Sequence, residues 1–371
     1  MYELILERSQ RSVDAVRRHI DSSNAIRSLI AQRQIRCVNE ISCFDLSPFY
    51  ERTPNSTDWR IIDHCSAVTR LYSIYEQFVH ELLGAFLTFL ENNVSYSELE
   101  PVLRAEHRRS LGQILLNLDR ERYRNLQFES IIGGLAKAFS QPGSYRLLPE
   151  AMLAHDQNLR LLELSKLFNR CGVFGVTEWI PKHRSLRKFF SDQARQSDKA
   201  EAELKQLVDY RNDAAHGEVD TVLGADILIE YADFLSAMFI ALAECVQWSV
   251  VERSLEYKKT RLAGKVNEVF SKNIVVAIVE NATFAVGDSV YLRGDGYCYR
   301  AKILSLQEGG VEITSKTVLS PIELGMRFDS APRKTSEIYF MNAAIAIDLP
   351  AGAGSATSVS SGSEEHVEAS K

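Results

Sequence analysis

Apolar residues recur every three or four positions through most of the first 260 residues, a spacing that places them on one face of an α-helix. The pattern predicts a long helix over about 63–90, carried by the stripe Leu71, Ile74, Tyr75, Phe78, Leu82 and Phe86. The same spacing predicts further helices over 1–45, 101–118 and 158–168, and another from about 198.

The segment 226–259 differs from these helices because its apolar residues cover most of its surface instead of one face. A helix of that kind lies at the centre of a bundle or in a subunit interface. Residues 45–57 contain two prolines and residues 140–146 contain a Pro-Gly pair, which predict a loop and a turn.

From about Leu262 the period changes to that of β-strands. Short β-branched segments alternate apolar and polar residues over 273–281, 288–294, 297–306 and 310–315. They predict a small β-barrel or sandwich. After Pro350 the chain is small and polar, which predicts disorder. The expected fold class is multidomain α and β: a helical segment 1–54, a helical domain 55–260, a β-barrel 261–345 and a disordered tail 346–371.

Composition is that of a globular protein, with 45% hydrophobic and 25% charged residues. The first residues carry charge throughout, so no signal peptide is predicted, and no run of about 18 uncharged apolar residues predicts a membrane span. The six cysteines are scattered and none has zinc-site spacing. We therefore expect a cytoplasmic protein with reduced thiols, Cys245 among the core residues, and no metal or other cofactor.

Charge is distributed unevenly along the chain. The formal net charge is −6, but residues 258–340 hold 12 basic and 9 acidic residues, a net +3. The predicted barrel is thus the better candidate for contacting phosphates. A second basic cluster contains Lys182, His183, Arg184, Arg187 and Lys188. It either binds RNA phosphates or forms an ordinary solvated face.

One stretch, "VDYRNDAAHGEV" (208–219), interrupts the helical pattern. Ala200, Leu204, Leu207 and Val208 share one predicted helix face, and Arg211 takes the next position on it. A guanidinium at an apolar position needs a carboxylate partner or a bound anion. His216 follows five residues later, and Gly217 predicts that the helix ends at His216. The two side chains are predicted to converge at the helix end, where the helix dipole favours a protonated imidazole.

An arginine and a histidine suffice, without a metal, for phosphodiester cleavage by a ribose 2′-OH. The imidazole transfers protons, and the fixed positive charge stabilises the phosphorane oxygens. If two chains bring two such pairs together, one histidine acts as base and the other as acid. The alternative is structural: Arg211 forms an ion pair with Glu76 or Asp213, and His216 caps the helix. The spacing alone leaves both interpretations open.

The motif R-N-x-x-A-H-G, between an apolar helical approach and a long terminal helix, resembles the HEPN superfamily of four-to-five-helix domains, and especially its RiboL-PSP type from bacterial toxin and phage-defence loci. The segment "RLYSIYEQFVHEL" (70–82) resembles the family's early helix, with Glu76 as its acidic residue. The segment 158–173 resembles the family's helix-then-glycine segment, which precedes the basic region. The resemblance covers about residues 55–255.

This resemblance implies a dimeric, metal-independent endoribonuclease, active as a toxin or phage-defence effector. It implies Arg211 and His216 as catalytic residues and Asn212 as the supporting polar residue, with Glu76 and Asp213 as further candidates. The expected partners are an RNA substrate, a second copy of the chain, and an antitoxin or defence-system protein. The alternatives are a non-catalytic dimeric scaffold and a regulatory subunit that binds RNA or protein.

The segment "GKVNEVFSKNIVVAIVENATFAVGDSVYLRG" (264–294) is similar to the second-domain β-barrel of elongation factor Tu-type GTPases, over about 262–342. No G-x-x-x-x-G-K-[ST] motif occurs, so nucleotide hydrolysis is not implied. Because such barrels contact tRNA or the ribosome, the resemblance implies that this barrel selects the RNA. A barrel used for protein docking is the alternative.

Overall fold

A computed structural model describes residues 2–32, 51–140, 145–192, 199–217 and 219–341. A helical half precedes a closed β-barrel, which confirms the predicted α and β multidomain class. Most of the predicted Pro-Gly turn and the whole predicted tail lie outside the described residues, as do Cys37 and Cys43.

The helical half is built from helices that occupy most of its described residues. They are α1 (Tyr2–Gln32), α2 (Ser56–Asn93), α3 (Pro101–Leu115), α4 (Phe128–Ser140), α5 (Pro149–Met152), α6 (Leu161–Arg170), α7 (Val176–Lys182), α8 (Arg184–Asp192), α9 (Lys199–His216) and α10 (Ala225–Glu256), with a 3-10 turn at Glu121–Tyr123. The long predicted helix is α2, extended at both ends. Its start is fixed by Asn55, whose side chain accepts hydrogen bonds from the backbone amides of Thr57 and Asp58.

The core of the helical half lies between α2 and α10. Phe78 on α2 stacks on Phe239 on α10 with ring centroids 4.3 Å apart. Cys245 on α10 is buried, as predicted. Among the described helices, α10 is the one long and apolar enough to cross a membrane, and 78% of its most apolar window is buried inside the protein. It is therefore the central helix of a bundle, the first of the two predicted settings.

The N-terminal helix α1 packs against α2 and α10 and belongs to the same core. Ile5, Val13 and Ile20 are buried there. Arg27 pairs with Asp63 at the start of α2, at 3.0 Å, and Arg17 pairs with Asp233 on α10. Hydrophobic burial thus joins α1 to the bundle, and ion pairs at its edge fix its position.

The C-terminal half is a closed barrel and not a sandwich. Its strands are β1 (Thr260–Ser271), β2 (Ile274–Val279), β3 (Ala282–Ala285), β4 (Ser289–Gly294), β5 (Tyr297–Glu308), β6 (Val311–Ile313), β7 (Ser315–Val318), β8 (Ile322–Phe328) and β9 (Glu337–Met341). The order β4-β9-β1-β2-β8-β5 returns to β4, with antiparallel pairs throughout. Phe284, Ile303 and Phe328 fill the interior, and closure leaves these six strands without a free edge.

A buried carboxylate joins the two halves. Glu244 on α10 accepts a hydrogen bond from the Arg184 guanidinium at 2.7 Å and one from the backbone amide of Cys298 on β5 at 3.0 Å. Its second oxygen lies 3.2 Å from Nε2 of His183. The Arg184 guanidinium also covers the ring of Tyr299, 4.2 Å from its centroid. We call these five residues the Glu244 junction.

Candidate active site

Helix α9 carries the interrupted stripe in the predicted manner. Leu204, Leu207 and Val208 are fully buried against the rest of the bundle. Arg211 takes the next position on this face and is half-buried. The apolar residues therefore anchor the helix, and the guanidinium emerges where the buried stripe meets the surface.

The Arg211 guanidinium is held by neutral partners. Its Nη1 donates to Oδ1 of Asn158 at 3.2 Å and to Oδ1 of Asn212 at 3.1 Å. Its Cζ lies 4.8 Å from the ring centroid of Tyr72 on α2. Among the described residues, no carboxylate lies within ion-pairing distance of it, so neither predicted structural pair, with Glu76 or with Asp213, is present. We call Arg211, Asn212, Asn158 and Tyr72 the Arg211 site.

Two tyrosines of α2 hold the loop that supplies Asn158. The Tyr72 hydroxyl accepts from the backbone amide of Leu159, and the Tyr75 hydroxyl donates to the Leu159 carbonyl, both at 3.0 Å. Both rings are buried, and burial raises the pKa of Tyr72. This double anchor holds Leu159 outside the helix, and α6 begins at Leu161, three residues after the predicted start at residue 158.

His216 is the last residue of α9, as predicted. Gly217 follows with a φ of +77°, the left-handed conformation of a helix-ending glycine. The imidazole is exposed and makes no hydrogen bond or ion pair with the described residues. Five helical residues separate it from Arg211, about 7.5 Å along the axis and about 140° around it. No hydrogen bond joins the two side chains, so their predicted convergence stays a prediction.

A second polar group lies beside the Arg211 site. Nε2 of His155 is 3.0 Å from Nε2 of His80 and 3.7 Å from Oε1 of Glu76. Glu76, the predicted supporting residue, therefore contacts a histidine and not Arg211. We call His155, His80 and Glu76 the His155 cluster. Within the described part of the chain, no three His, Cys, Asp or Glu residues are placed to hold a metal ion.

Asp213 lies on an exposed part of α9, away from Arg211. Its carboxylate acts on the buried His64 of α2, whose pKa is lowered by burial and partly restored by Asp213. Nδ1 of His64 accepts from the backbone amide of Leu223 at 3.3 Å. This bond holds the segment between His216 and α10. Because Asp213 acts on His64, it contributes to the support of the site and not to its reacting groups.

The predicted basic cluster is divided between two environments. His183 is buried and Arg184 is engaged by Glu244 and Tyr299, so both belong to the Glu244 junction. Lys182, Arg187 and Lys188 are exposed, and a role for them in RNA binding stays a prediction. For Arg184, the partner in the structure is the Glu244 carboxylate and not a phosphate.

Sequence reasoning missed Asn158, Tyr72, His80 and His155. One signal was available: Tyr72, Glu76 and His80 follow at four-residue intervals on one predicted helix, which places polar tips in a row beside the apolar stripe. The loop residues carried no such signal, because only tertiary packing brings them to α9.

Together, the helical bundle and the arginine and histidine on its penultimate helix define a HEPN-type domain. The sequence model of the RiboL-PSP-HEPN family matches residues 36–247, more than half of the chain. The chain belongs to this family. No curated protein and no solved structure matches it.

Proposed function

We propose that this protein is a metal-independent endoribonuclease that cleaves RNA by attack of a ribose 2′-OH on the adjacent phosphate. The products are a 2′,3′-cyclic phosphate and a 5′-hydroxyl. The observation that carries the proposal is the Arg211 guanidinium, half-exposed and held, among the described residues, by amides and an aromatic ring. Its positive charge is therefore available to a phosphate anion.

Each residue has a separate role in this mechanism. Arg211 stabilises the charge that develops on the phosphorane oxygens. Asn212 and Asn158 orient the guanidinium through its Nη1 atom. His216, unpaired with any described residue and exposed at the end of α9, transfers a proton at the scissile phosphate.

Family membership supports an RNA-related role and gives the proposal its biological setting. We propose that the protein acts in the cytoplasm as a toxin or phage-defence effector, as a homodimer, controlled by an antitoxin or another defence protein. The barrel is proposed to select the substrate, an RNA of the tRNA or ribosome-associated kind, through its net positive charge.

The test is cleavage of total RNA by purified protein in excess EDTA, with mapping of the new ends. Wild-type protein should leave cyclic phosphate ends, and His216→Ala should cleave at least about 100-fold more slowly. Equal cleavage by both proteins, or cleavage that needs a divalent ion, would show that the mechanism is wrong.

A non-catalytic dimeric scaffold is the second candidate, and the absence of a hydrogen bond between Arg211 and His216 favours it. The barrel would then dock a partner protein or RNA without cutting. Expression in a host distinguishes the two functions, because a nuclease should arrest growth in a manner that His216→Ala abolishes, whereas a scaffold should not.

A further inference from the structure

Exposed cations from both halves of the protein meet around the Glu244 junction, and the mechanism above gives none of them a role. Lys182, Arg187 and Lys188 come from the helical half, and Arg333 and Lys334 come from the barrel. We call these five residues the seam cations. Among the described residues, no carboxylate lies within ion-pairing distance of any of them. Their charges are therefore not neutralised within the described part of the chain.

The seam cations of α8 lie on the side of the helix that faces the barrel. The position of that side is given by Arg184, whose guanidinium covers the Tyr299 ring of β5. Arg187 and Lys188 follow Arg184 by three and four residues, which is the spacing of neighbours on one helix face. Both side chains therefore extend from α8 next to the barrel.

The barrel brings its own cations to the same place. The guanidinium carbon of Arg333 lies 5.2 Å from the ring centroid of Tyr297, and that of Arg184 lies 5.9 Å from the same centroid. Lys182 is next to this ring, because its carbonyl oxygen would lie 2.7 Å from a Cβ added to Gly296, the residue before Tyr297. Cations of α7, α8 and the barrel thus surround one tyrosine.

The turn that carries Arg333 and Lys334 is held in a strained conformation. Thr335 follows them with a φ of +72°, a left-handed conformation that is rare for a β-branched residue. Three hydrogen bonds hold the turn: the Thr335 amide donates to the Val266 carbonyl at 2.9 Å, the Ser336 amide to the Arg333 carbonyl at 3.0 Å, and the Arg333 amide to the Ser336 hydroxyl at 3.0 Å. The surrounding structure therefore imposes a conformation that presents two adjacent cations to solvent.

Two exposed carboxylates lie in the same region. Glu178, one turn before Lys182 on α7, accepts from the Thr177 hydroxyl at 2.8 Å, and Asp295 precedes Gly296 in the turn between β4 and β5. Five cations and two carboxylates give this surface a net positive charge. Since the cations come from two helices and a barrel turn, they match an extended chain of phosphates better than one small anion.

Helix α10 gives the distance between the seam cations and the Arg211 site. Tyr231 on this helix contacts Tyr210, the residue before Arg211, with ring centroids 6.2 Å apart. Glu244, which binds Arg184, follows Tyr231 by thirteen residues, about 20 Å along the helix axis. A dinucleotide at Arg211 is too short to cover this distance, whereas an RNA of about 12 nucleotides covers it even at about 3.4 Å per nucleotide.

We infer that the seam cations bind the phosphate backbone of the RNA strand whose scissile phosphate lies at Arg211. The barrel and α8 thus hold one strand together, at a distance from the bond that is cleaved. These contacts raise the affinity for long RNA without reading its bases, and the cleavage step stays with the Arg211 site. This inference rests on the proposed ribonuclease function.

The first measurement is RNA binding without cleavage. His216→Ala protein is titrated into a fluorescent single-stranded RNA of about 12 nucleotides, in EDTA, at salt concentrations from about 50 to 200 mM. Adding Arg333→Gln/Lys334→Gln, or separately Arg187→Gln/Lys188→Gln, should weaken binding about 10-fold at low salt. Each pair should also reduce the slope of log affinity against log salt by about 1.4, because one phosphate contact on a single strand contributes about 0.7.

The matched control is Lys272→Gln/Arg327→Gln, which removes one lysine and one arginine elsewhere on the barrel. Both residues are exposed, and Arg327 on β8 pairs with Ile274, two residues after Lys272. This variant should keep the affinity and the salt slope of the parent protein. Thermal denaturation should show that all variants remain folded.

Cleavage gives a second readout, measured with His216 intact. The ratio of kcat/KM for the RNA of about 12 nucleotides to kcat/KM for a dinucleotide should fall about 10-fold in each seam variant, through KM. A merely structural role would not change the dependence on substrate length.

The possible failures are distinguishable. If the seam variants bind RNA as tightly as the parent protein, or if the control variant loses as much affinity as they do, this inference is wrong and the proposed ribonuclease function stands on its own cleavage test. If the seam variants lose RNA affinity but wild-type protein cleaves no RNA, the proposed function is wrong and the seam cations remain an RNA-binding surface.

Discussion

Two arginines of the helical half have similar surroundings and opposite partners. Arg184 and Arg211 are both half-buried, and each lies over a tyrosine ring, at 4.2 Å and 4.8 Å from the centroids. Arg184 pairs with the buried carboxylate of Glu244, whereas the hydrogen-bond partners of Arg211 are two asparagine side chains. The ring supports the guanidinium in both places, but within the described part of the chain a carboxylate neutralises its charge at the Glu244 junction and not at the Arg211 site.

This difference separates a structural cation from one able to bind a ligand. The Glu244 carboxylate, 7% exposed, accepts from the Arg184 guanidinium of α8 and from the Cys298 amide of the barrel at once, so removing it leaves both donors without this acceptor. At the Arg211 site, Asn158 already donates to Asn212 at 3.1 Å and keeps that bond if the guanidinium is lost. The predictions below test this contrast.

The largest effect is expected on activity when each arginine is replaced by alanine. Arg211→Ala should reduce RNA cleavage by about 100- to 1,000-fold, because one transition-state charge contact is lost, while its unfolding midpoint stays near that of wild type. Arg184→Ala should show the converse: a lower midpoint and nearly normal cleavage per folded molecule. Single-turnover cleavage and urea denaturation measure the two. Equal behaviour of the two variants would remove the contrast.

The second effect concerns stability. Glu244→Ala should lower the free energy of unfolding by about 3 kcal/mol, since it leaves the Cys298 amide and a partly buried guanidinium without their acceptor. The matched control is Glu312→Ala on β6, an exposed glutamate, which should change it by less than about 0.5 kcal/mol. Urea denaturation followed by fluorescence gives both values, and similar values would mean that the junction is not structural.

The sequence predicted the Arg211 site better than the Glu244 junction. Arg211, Asn212 and His216 are contiguous on one helix, so period and end signals suffice to place them. Asn158 is 53 residues from Arg211, and its role depends on tertiary packing. Glu244 was missed because a single carboxylate in an apolar helix gives no local sign of the backbone amide and arginine that will meet it.

In the barrel, too, local patterns located strands but did not predict which distant strands pair. Alternation located β2, β4 and β5, because each has one face inside and one outside. The pairing of β9 with β1 and with β4, which closes the barrel, joins segments distant in sequence and follows from no local pattern.

A third effect is expected in acid, where neither arginine changes charge but buried histidines gain a proton. Burial lowers the pKa of His107 on α3 to about 4, and its buried Nε2 has no hydrogen-bond partner among the described residues. The stabilisation is present above the unfolded pKa of about 6.5 and is lost as pH falls through about 4, up to about 3 kcal/mol. His107→Gln should flatten urea-midpoint curves between pH 6.5 and 4. An unchanged slope would show that another group titrates.

The smallest effects are expected at two glycines, one at the end of the helix that carries Arg211 and one at the Glu244 junction. Gly217 has a φ of +77° and open space around an added Cβ, so Gly217→Ala should lower the free energy of unfolding by about 1 kcal/mol, from backbone strain alone. Gly296 has a φ of +72°, and its Cβ would lie 2.7 Å from the Lys182 carbonyl oxygen across the junction. Gly296→Ala should therefore destabilise more than Gly217→Ala.

Activity should rank the two glycine variants in the opposite order. Gly217→Ala moves the end of α9 and with it the proposed acid His216, so cleavage should fall several-fold although the protein is only slightly less stable. Gly296→Ala loosens the barrel from α7 and leaves the Arg211 site unchanged, so cleavage per folded molecule should persist. If Gly296→Ala instead abolished cleavage while the protein stayed folded, the junction would be part of the catalytic apparatus, and the separation of structural from ligand-binding arginine would be wrong.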